Sequence, residues 1–189
     1  MIKVDFVQGS DDWKRWRLEG LGASELAELL DESPYGGPKE LLELKLSGIE
    51  RPKNEWIMQK GHDIEPKIRG KLSMKYDIQF ETACAEYEKN RFFRCSFDGY
   101  NPKMVIEAKY CGEKNLNLVP VHHWIQVQGQ MAIANKKEMI LARSSNGIDV
   151  AEIRIEFNSW FWNKAEKEIK RFQKNVSEAI SAKSSGRNT

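Results

Sequence analysis

Hydrophobic residues in the first part of the chain recur at helical spacing, and turn residues separate the helices that this spacing predicts. A glycine-containing loop at 22–25 enters a short helix, with Ser24 as the expected N-cap. A second helix is predicted over 38–48, and a longer one over 55–76 that Pro66 should kink or restart. We therefore expect a helical beginning to the fold.

Apolar and polar side chains begin to alternate near residue 78, and this change of period predicts strands. Three strands joined by two short turns are expected first: 84–89, 92–98 and 103–110, with turns at 89–90 and 99–102. A helix, two strands around a turn at 146–147, and a final helix capped by Asn158 follow: 120–135, 138–143, 150–157 and 159–180. This order predicts an α/β fold with a mixed central β-sheet flanked by α-helices.

The length and composition are those of an ordinary globular domain: 189 residues, of which 40% are hydrophobic and 31% are charged. We expect one domain over 1–180 and a flexible polar tail over 181–189. No apolar run approaches the roughly 18–20 residues that span a bilayer, and the first residues lack the apolar part of a signal peptide. We therefore expect a cytoplasmic protein that makes no membrane contact.

Charge and cysteine content narrow the possible functions further. The formal net charge is +2, so any contact with nucleic acid requires a local basic patch. The three cysteines are widely spaced, which indicates free thiols rather than a disulfide framework. A zinc site built from His62, His122, His123 and Cys111 is not favoured, because these residues lack the paired spacing of zinc fingers.

Two neighbouring predicted strands carry polar residues that could perform chemistry. Alternation places Ser96 and Asp98 on one face of the first strand, and Glu107 and Lys109 on one face of the second. If the strands pair through the turn between them, Asp98, Glu107 and Lys109 converge. Two carboxylates beside an ammonium are costly there unless a cation offsets the negative charge.

Oxygen ligands in an incomplete shell suit Mg²⁺, which takes its remaining ligands from water and phosphate. Such a site could hydrolyse a phosphodiester, with Lys109 positioning or deprotonating the attacking water. On these strands alone, a surface hairpin with a cross-strand Glu–Lys pair is an equally open interpretation.

Polar residues also interrupt two predicted apolar helix faces, Glu65 on the 55–76 helix and Gln128 on the 120–135 helix. Each could be a hydrogen-bonded core residue, but together with the strand residues they indicate one shared polar site. Near the N-terminus, Arg17 precedes the loop that carries Ser24, and a helix N-terminus with an arginine nearby is suited to an anion. The aromatic and basic residues of the last helix are expected to pack it on the sheet rather than to bind DNA.

Seven short blocks in order resemble a known family: Trp13-x3-Arg17, Gly22-Ala23-Ser24-Glu25, Ser33-Pro34-Tyr35, Gly61-x3-Glu65, Ser96-x-Asp98-Gly99, Ile106-Glu107-Ala108-Lys109 and Gln126-Val127-Gln128. Over about residues 8–145 the chain is similar to the phage lambda exonuclease or YqaJ-type viral recombinase family, within the PD-(D/E)xK nuclease superfamily. Phe97 stands where the superfamily pattern has proline.

The resemblance implies a restriction-endonuclease-like core and a Mg²⁺-dependent exonuclease, in which Mn²⁺ should substitute. It implies 5′-to-3′ digestion of one strand of linear double-stranded DNA, leaving 3′ single-stranded overhangs for phage-type homologous recombination. It further implies a ring-shaped homotrimer, a single-strand annealing protein as partner, and a phage or prophage protein that acts in a bacterial host.

The resemblance also implies roles for individual residues. Asp98, Glu107 and the carbonyl of Ala108 would ligate magnesium, Glu65 would assist at a second ion, and Lys109 would orient the attacking water. Four residues would hold the 5′-phosphate or the phosphates near the scissile bond: Arg17, Ser24, Ser96 and Gln128.

Two alternatives stay open from the sequence. One is a related PD-(D/E)xK endonuclease or a recombination-associated nuclease of other polarity, although the iron–sulfur branch of such enzymes needs four cysteine ligands. The other is a catalytically inert DNA-binding protein, which the intact Asp98, Glu107 and Lys109 disfavour.

Overall fold

The fold is described by a computed structural model for residues 1–49 and 55–185, with side chains described up to 183. The helices are α1 Asp11–Leu18, α2 Leu26–Leu29, α3 Pro38–Ser47, α4 Glu55–Tyr76, α5 Val121–Ala134 and α6 Ser159–Ser185, with 3-10 turns at Ala23–Glu25 and Glu113–Asn115. The strands are β1 Ile2–Val4, β2 Leu21–Gly22, β3 Glu81–Tyr87, β4 Asn90–Tyr100, β5 Val105–Tyr110, β6 Glu138–Ser144 and β7 Ala151–Glu156.

Within the described residues, the seven strands form one mixed sheet in the order β1-β3-β4-β5-β6-β7, and β2 pairs with β4. The β5–β6 and β2–β4 pairs are parallel, and the other pairs are antiparallel. This arrangement confirms the predicted α/β fold with a mixed central sheet flanked by helices.

Alternation along the central strands divides the core between the two faces of the sheet. On one face, Ile106 and Ala108 of β5 pack with Ile64, Ile68 and Leu72 of α4. The other face carries the larger core, to which α2, α3, α5 and α6 contribute through residues such as these: Leu26, Leu41, Phe93, Ile125, Met131, Trp162 and Phe172. The amphipathic packing expected of the last helix is confirmed.

Of the two effects expected of Pro66, a kink or a restart, the restart does not occur, since α4 is continuous from Glu55 to Tyr76. Buried residues on both sides of the proline, Ile64 and Ile68, hold both halves of the helix on the sheet, and this packing outweighs the lost backbone hydrogen bond. Ile57, near the start of α4, is 51% exposed, so the buried face of this helix begins later, at Ile64.

The turn between β4 and β5 lies later than predicted, at 101–104, where Asn101 and Met104 exchange backbone hydrogen bonds of 2.9 and 3.1 Å. β4 continues to Tyr100, two residues beyond the prediction, and Gly99 pairs with Ile106 of β5. A Cβ atom on Gly99 would stand 2.4 Å from Cγ1 of Ile106, so only glycine permits this close approach.

Two further details differ from the prediction, and one agrees. Ser24 is not an N-cap, because it lies inside the 3-10 turn that Gly22 precedes. The expected tail is helical as far as Ser185, while 186–189 lie outside the described residues. Asn158 caps α6 as predicted, its Oδ1 accepting a 2.9 Å hydrogen bond from the N–H of Phe161. No helix in the described ranges combines the length and apolar character needed to cross a membrane.

Candidate active site

Seven of the residues predicted from the sequence line one cavity of about 240 Å³: Arg17, Ser24, Glu65, Ser96, Asp98, Glu107 and Lys109. Side chains from α1, the 3-10 turn after β2, α4, β4, β5 and α5 meet there. The cavity lies just beyond the point where β4 and β5 cease to pair, at Gly99 and Ile106. Divergence of two antiparallel strands therefore opens the space that the site occupies.

Asp98 bridges the gap between the diverging strands. Its Oδ2 accepts a 2.9 Å hydrogen bond from the backbone N–H of Ala108, and its own carbonyl accepts one of 2.9 Å from Arg69 of α4. The N–H and carbonyl of one residue in an extended strand point towards the same edge. The carbonyl of Ala108 therefore faces the same gap as the Asp98 carboxylate.

Glu107 is almost fully buried, and three donors surround its carboxylate. Lys109 Nζ and Gln126 Nε2 each lie 2.5 Å from Oε1, and Gln130 Nε2 donates to Oε2 at 2.6 Å. Gln126 and Gln130 are one turn apart on α5, so one helix face presents both amides to the strand. The geometry joins Glu107 and Lys109 as predicted and adds two glutamines.

Negative charge is crowded among the buried carboxylates of the site, and this crowding changes the pKa values of Asp98, Glu65 and Lys109. Burial raises the pKa of Asp98 well above its usual value, and the Glu107 carboxylate raises it further. Burial likewise raises the pKa of Glu65, where Lys109 opposes the rise and Glu107 adds to it. Burial alone would lower the pKa of Lys109, but Glu107 and Asp98 more than compensate and raise it, so Lys109 stays protonated.

The donor set fits a hard divalent cation. Within the described residues, no three His, Cys, Asp or Glu side chains converge closely enough to chelate a metal by themselves. Asp98, Glu107 and the Ala108 carbonyl would thus form only part of a coordination shell, as is usual for Mg²⁺, which keeps waters and binds substrate phosphates. A cation there would also offset the charge that raises the pKa of Asp98.

A second group of residues lines the side of the cavity nearest α1. The guanidinium of Arg17 donates to Ser24 Oγ at 3.1 Å and stacks over the ring of Trp13, 4.8 Å from its centroid. The indole Nε1 of Trp13 donates to Ser96 Oγ at 2.8 Å. One guanidinium and two hydroxyls, ordered by an indole, are suited to binding a phosphate group.

Gln128 is the exception among the predicted site residues, because it points away from the cavity. It is fully buried, its Nε2 donates to the carbonyl of Glu156 at 2.9 Å, and its Oε1 accepts from the N–H of Asn158 at 2.7 Å. Gln128 is thus a satisfied core residue that joins α5 to the β7–α6 connection. A helix carries residue 128 about 200° round from residue 126, so only its neighbours face the site.

Several lining residues were not predicted. Gln126, Gln130, Trp13 and His62 all reach the cavity. Their spacing could have found some of them: Gln126 and Gln130 are four apart, and His62 precedes Glu65 by three, so each pair shares a helix face. Of the residues considered for zinc, only His62 lines the cavity, and burial lowers the pKa of His123 to about 2.

Comparison with known structures identifies the fold. An alkaline exonuclease from Laribacter hongkongensis matches with a TM-score of 0.79 and 18% identity, over 95% of this chain and 98% of that one. The same enzyme in complex with dAMP matches with a TM-score of 0.77 and 18% identity, over 95% and 100%. A phage-related exonuclease from Haemophilus somnus 129PT gives a TM-score of 0.67 and 16% identity, over 86% and 96%.

Sequence comparison identifies the family. No curated protein is similar enough to count as a match. The sequence pattern of the YqaJ-like viral recombinase domain, however, matches residues 12–137, which include most of α1 and all of α4, β4 and β5. This family comprises nucleases that depend on a divalent metal ion. The chain belongs to the YqaJ-like viral recombinase family and is a deoxyribonuclease.

Proposed function

We propose that the protein is a Mg²⁺-dependent 5′-to-3′ exonuclease that digests one strand of linear double-stranded DNA and leaves 3′ single-stranded overhangs, with 1–180 as its single nuclease domain. One observation carries the proposal. The anion-binding group of Arg17, Ser24 and Ser96 shares a small cavity with Asp98, Glu107 and Lys109. A terminal phosphate held by the first group would set the distance from the DNA end to the scissile bond.

The size of the cavity supports digestion from an end. Its volume of about 240 Å³ lies below the roughly 300–1,000 Å³ of drug-sized ligand pockets. A terminal nucleotide fits this space better than a continuous duplex. A structural relative captured with dAMP supports a nucleotide-sized site in this fold.

Arg17, Ser24 and Ser96 together are called the phosphate grip below. Its charge supports recognition of a phosphate-terminated end. A terminal phosphate carries more negative charge than a phosphodiester and has three oxygens to accept hydrogen bonds. Arg17 can donate to it through a planar fork, and the hydroxyls of Ser24 and Ser96 can donate beside it.

The residues of the catalytic group have separate tasks. Asp98, Glu107 and the Ala108 carbonyl would hold Mg²⁺, or Mn²⁺ in its place, and Glu65 would assist at a second ion. The bound cation would supply positive charge at the scissile phosphate and favour ionisation of the attacking water. Lys109 would orient that water and offset negative charge as it develops on phosphorus, while Gln126 and Gln130 fix the Glu107 carboxylate.

The wider biological setting belongs to the same proposal. We infer a homotrimer that surrounds the DNA, a single-strand annealing protein as its partner, and action in the cytoplasm of a bacterial host during phage-type homologous recombination. Membership in a viral recombinase family supports this setting.

Purified protein should be incubated with Mg²⁺ and a linear duplex carrying a label at either the 5′ or the 3′ end. Release of the 5′ label as mononucleotide while the 3′ label stays on long fragments is expected. Early release of the 3′ label would overturn the polarity. A covalently closed circle serves as a second substrate, and cutting of this circle would favour an endonuclease. Retention of both labels on the linear duplex despite DNA binding would favour an inert binding protein.

A further inference from the structure

Lys45 is a buried lysine on a helix that otherwise buries apolar residues. It follows Leu41 by four positions, so both lie on the face of α3 that packs inward. The side chain of Lys45 is only 1% exposed. Its Nζ has three hydrogen-bond partners: Glu25 Oε1 at 2.8 Å, Glu25 Oε2 at 2.7 Å and the backbone carbonyl of Arg17 at 3.1 Å.

These contacts tie Lys45 to both sides of the phosphate grip. The Arg17 carbonyl is among the last four of α1, which have no partner within their helix, and Lys45 supplies that partner. Glu25 Oε2 also accepts a 2.7 Å hydrogen bond from the N–H of Gly22, across the 3-10 turn that carries Ser24. The ion pair therefore fixes the backbone at Arg17 and the backbone around Ser24. The side chains of these two residues contact each other, with 3.1 Å between the Arg17 guanidinium and Ser24 Oγ.

Stability alone does not account for an ion pair in this position. Removing two charges from water is costly, and apolar residues of similar size often replace a buried pair without loss of stability. The surroundings add to the cost, because burial lowers the pKa of Lys45 and nearby Arg17 and Arg94 lower it further, against the opposing effect of Glu25. A geometric role for the pair explains its presence better.

We propose that the Lys45–Glu25 ion pair is a positioning element that sets the spacing between Arg17 and Ser24 and thereby the preference for 5′-phosphorylated DNA ends. This inference rests on the proposed function of Arg17 and Ser24 as a phosphate grip. Neither Lys45 nor Glu25 lines the cavity, so both act through the backbone that carries the grip.

The test compares digestion rates on duplexes with 5′-phosphate and 5′-hydroxyl ends, in wild type and in a Glu25→Gln/Lys45→Met double variant. The double variant removes both charges together, nearly preserves side-chain volume, and leaves an amide oxygen to accept from Gly22. The ratio of the two rates should fall roughly 10-fold or more, the effect of losing one well-placed charged contact. Circular dichroism and thermal melting would establish that the variant is folded.

A second ion pair offers a matched control. Lys75 and Glu152 are 2.6 Å apart, join α4 to β7, and lie outside the cavity. The double variant Lys75→Met/Glu152→Gln should leave the rate ratio unchanged even where it lowers the melting temperature. An equal fall in this control would overturn the proposal, because the effect would then reflect general loosening of the fold.

Three other results would decide the matter. Parallel losses on both ends, with an unchanged ratio, would overturn the role of the pair. If the double variant fails to fold, Lys45→Arg serves instead. It keeps the charge, but its longer, planar guanidinium changes the spacing between Glu25 and the Arg17 carbonyl, and an unchanged ratio there would overturn the proposal. A wild-type ratio near one would instead overturn the phosphate grip itself, which separates failure of the proposed function from failure of the positioning role.

Discussion

The amide of Gln130 donates a 2.6 Å hydrogen bond to the Glu107 carboxylate, while Gln128, two residues earlier on the same helix, turns its amide to the opposite side of α5. Gln130 also donates to the carbonyl of Ser96 at 3.3 Å. One helix thus holds the Glu107 carboxylate with Gln126 and Gln130, and anchors the β7–α6 connection with Gln128.

Gln130→Met should raise the Mg²⁺ concentration needed for half-maximal digestion by about 10- to 100-fold, the usual cost of removing a group that orients a metal ligand. The physical reason is that Oε2 of Glu107 loses its donor and the carboxylate can rotate. The measurement is a magnesium titration of the digestion rate. Gln128→Met is the control: it should lower the melting temperature, because it leaves polar backbone groups unpaired, without changing the magnesium requirement. Equal magnesium requirements in the two variants would contradict this role for Gln130.

Asp98→Asn should abolish digestion yet raise the melting temperature of the metal-free protein. A carboxyl group with a higher pKa in the folded than in the unfolded chain lowers the free energy of unfolding at neutral pH. Asp98 is such a group, because burial and Glu107 raise its pKa, and the substitution removes the charge. A gain of about 1 kcal/mol would correspond to roughly 2–4 °C for a chain of this size. Melting curves in a chelator test this, and Mg²⁺ should stabilise the wild type more than the variant. A lower melting temperature would contradict the expected charge repulsion.

Lys109→Met should also abolish digestion, but with the opposite effect on stability. It removes the ammonium that lies 2.5 Å from Glu107 and leaves the carboxylates of the cluster without their positive partner. Breaking a buried pair on one side costs about 3–5 kcal/mol, so the metal-free variant should melt well below the wild type. Adding Mg²⁺ should recover part of that loss, since the cation replaces the missing charge. Wild-type digestion by this variant would remove Lys109 from the mechanism.

Arg17→Ala should erase the preference for 5′-phosphorylated ends. A charged contact of about 1.5–3 kcal/mol corresponds to a loss of roughly 10- to 150-fold on phosphate ends, with a smaller effect on hydroxyl ends. Arg15→Ala provides the control, because Arg15 lies on the same helix, pairs with Asp12 and does not line the cavity. A change in end preference below about 3-fold in Arg17→Ala would count against the phosphate grip.

Strand alternation predicted well which strand residues share the cavity, because alternation depends on local backbone geometry alone. In a strand, successive side chains point to opposite faces whatever the neighbours are, so Asp98, Glu107 and Lys109 were brought together once the two strands paired. The register was less predictable. It depends on the close approach of Gly99 to Ile106, a contact between strands that displaced the expected turn.

Helix faces were harder to interpret, and Gln128 shows why. A polar residue on an apolar face can complete a functional site or satisfy backbone groups elsewhere, and these cases look alike in the sequence. Which one applies depends on whether the β7–α6 connection passes beside α5, a long-range relationship that spacing does not contain. For the same reason the contacts of Lys45 were not predicted, because its partners Glu25 and Arg17 lie 20 and 28 residues away along the chain.

The fit of α5 against β4 yields a prediction that uses two helical glycines of opposite surroundings. A Cβ atom on Gly129 would stand 2.8 Å from Cζ of Phe93, whose ring is held in place by Tyr87 and Trp162. Gly129→Ala should therefore lower the free energy of unfolding by about 1–3 kcal/mol, the cost of an overpacked core. It should also slow digestion, since α5 carries Gln126 and Gln130 to the site.

Gly70 of α4 faces open space, and nothing lies within 4 Å of a Cβ atom built there. Gly70→Ala should raise the free energy of unfolding by about 0.5–1 kcal/mol, because alanine loses less conformational freedom in a helix. Urea unfolding of the two variants measures both effects, and digestion should slow only in Gly129→Ala. If both substitutions stabilised the protein alike, α5 would have room to move away from β4, and the glutamine support of Glu107 would be looser than the structure indicates.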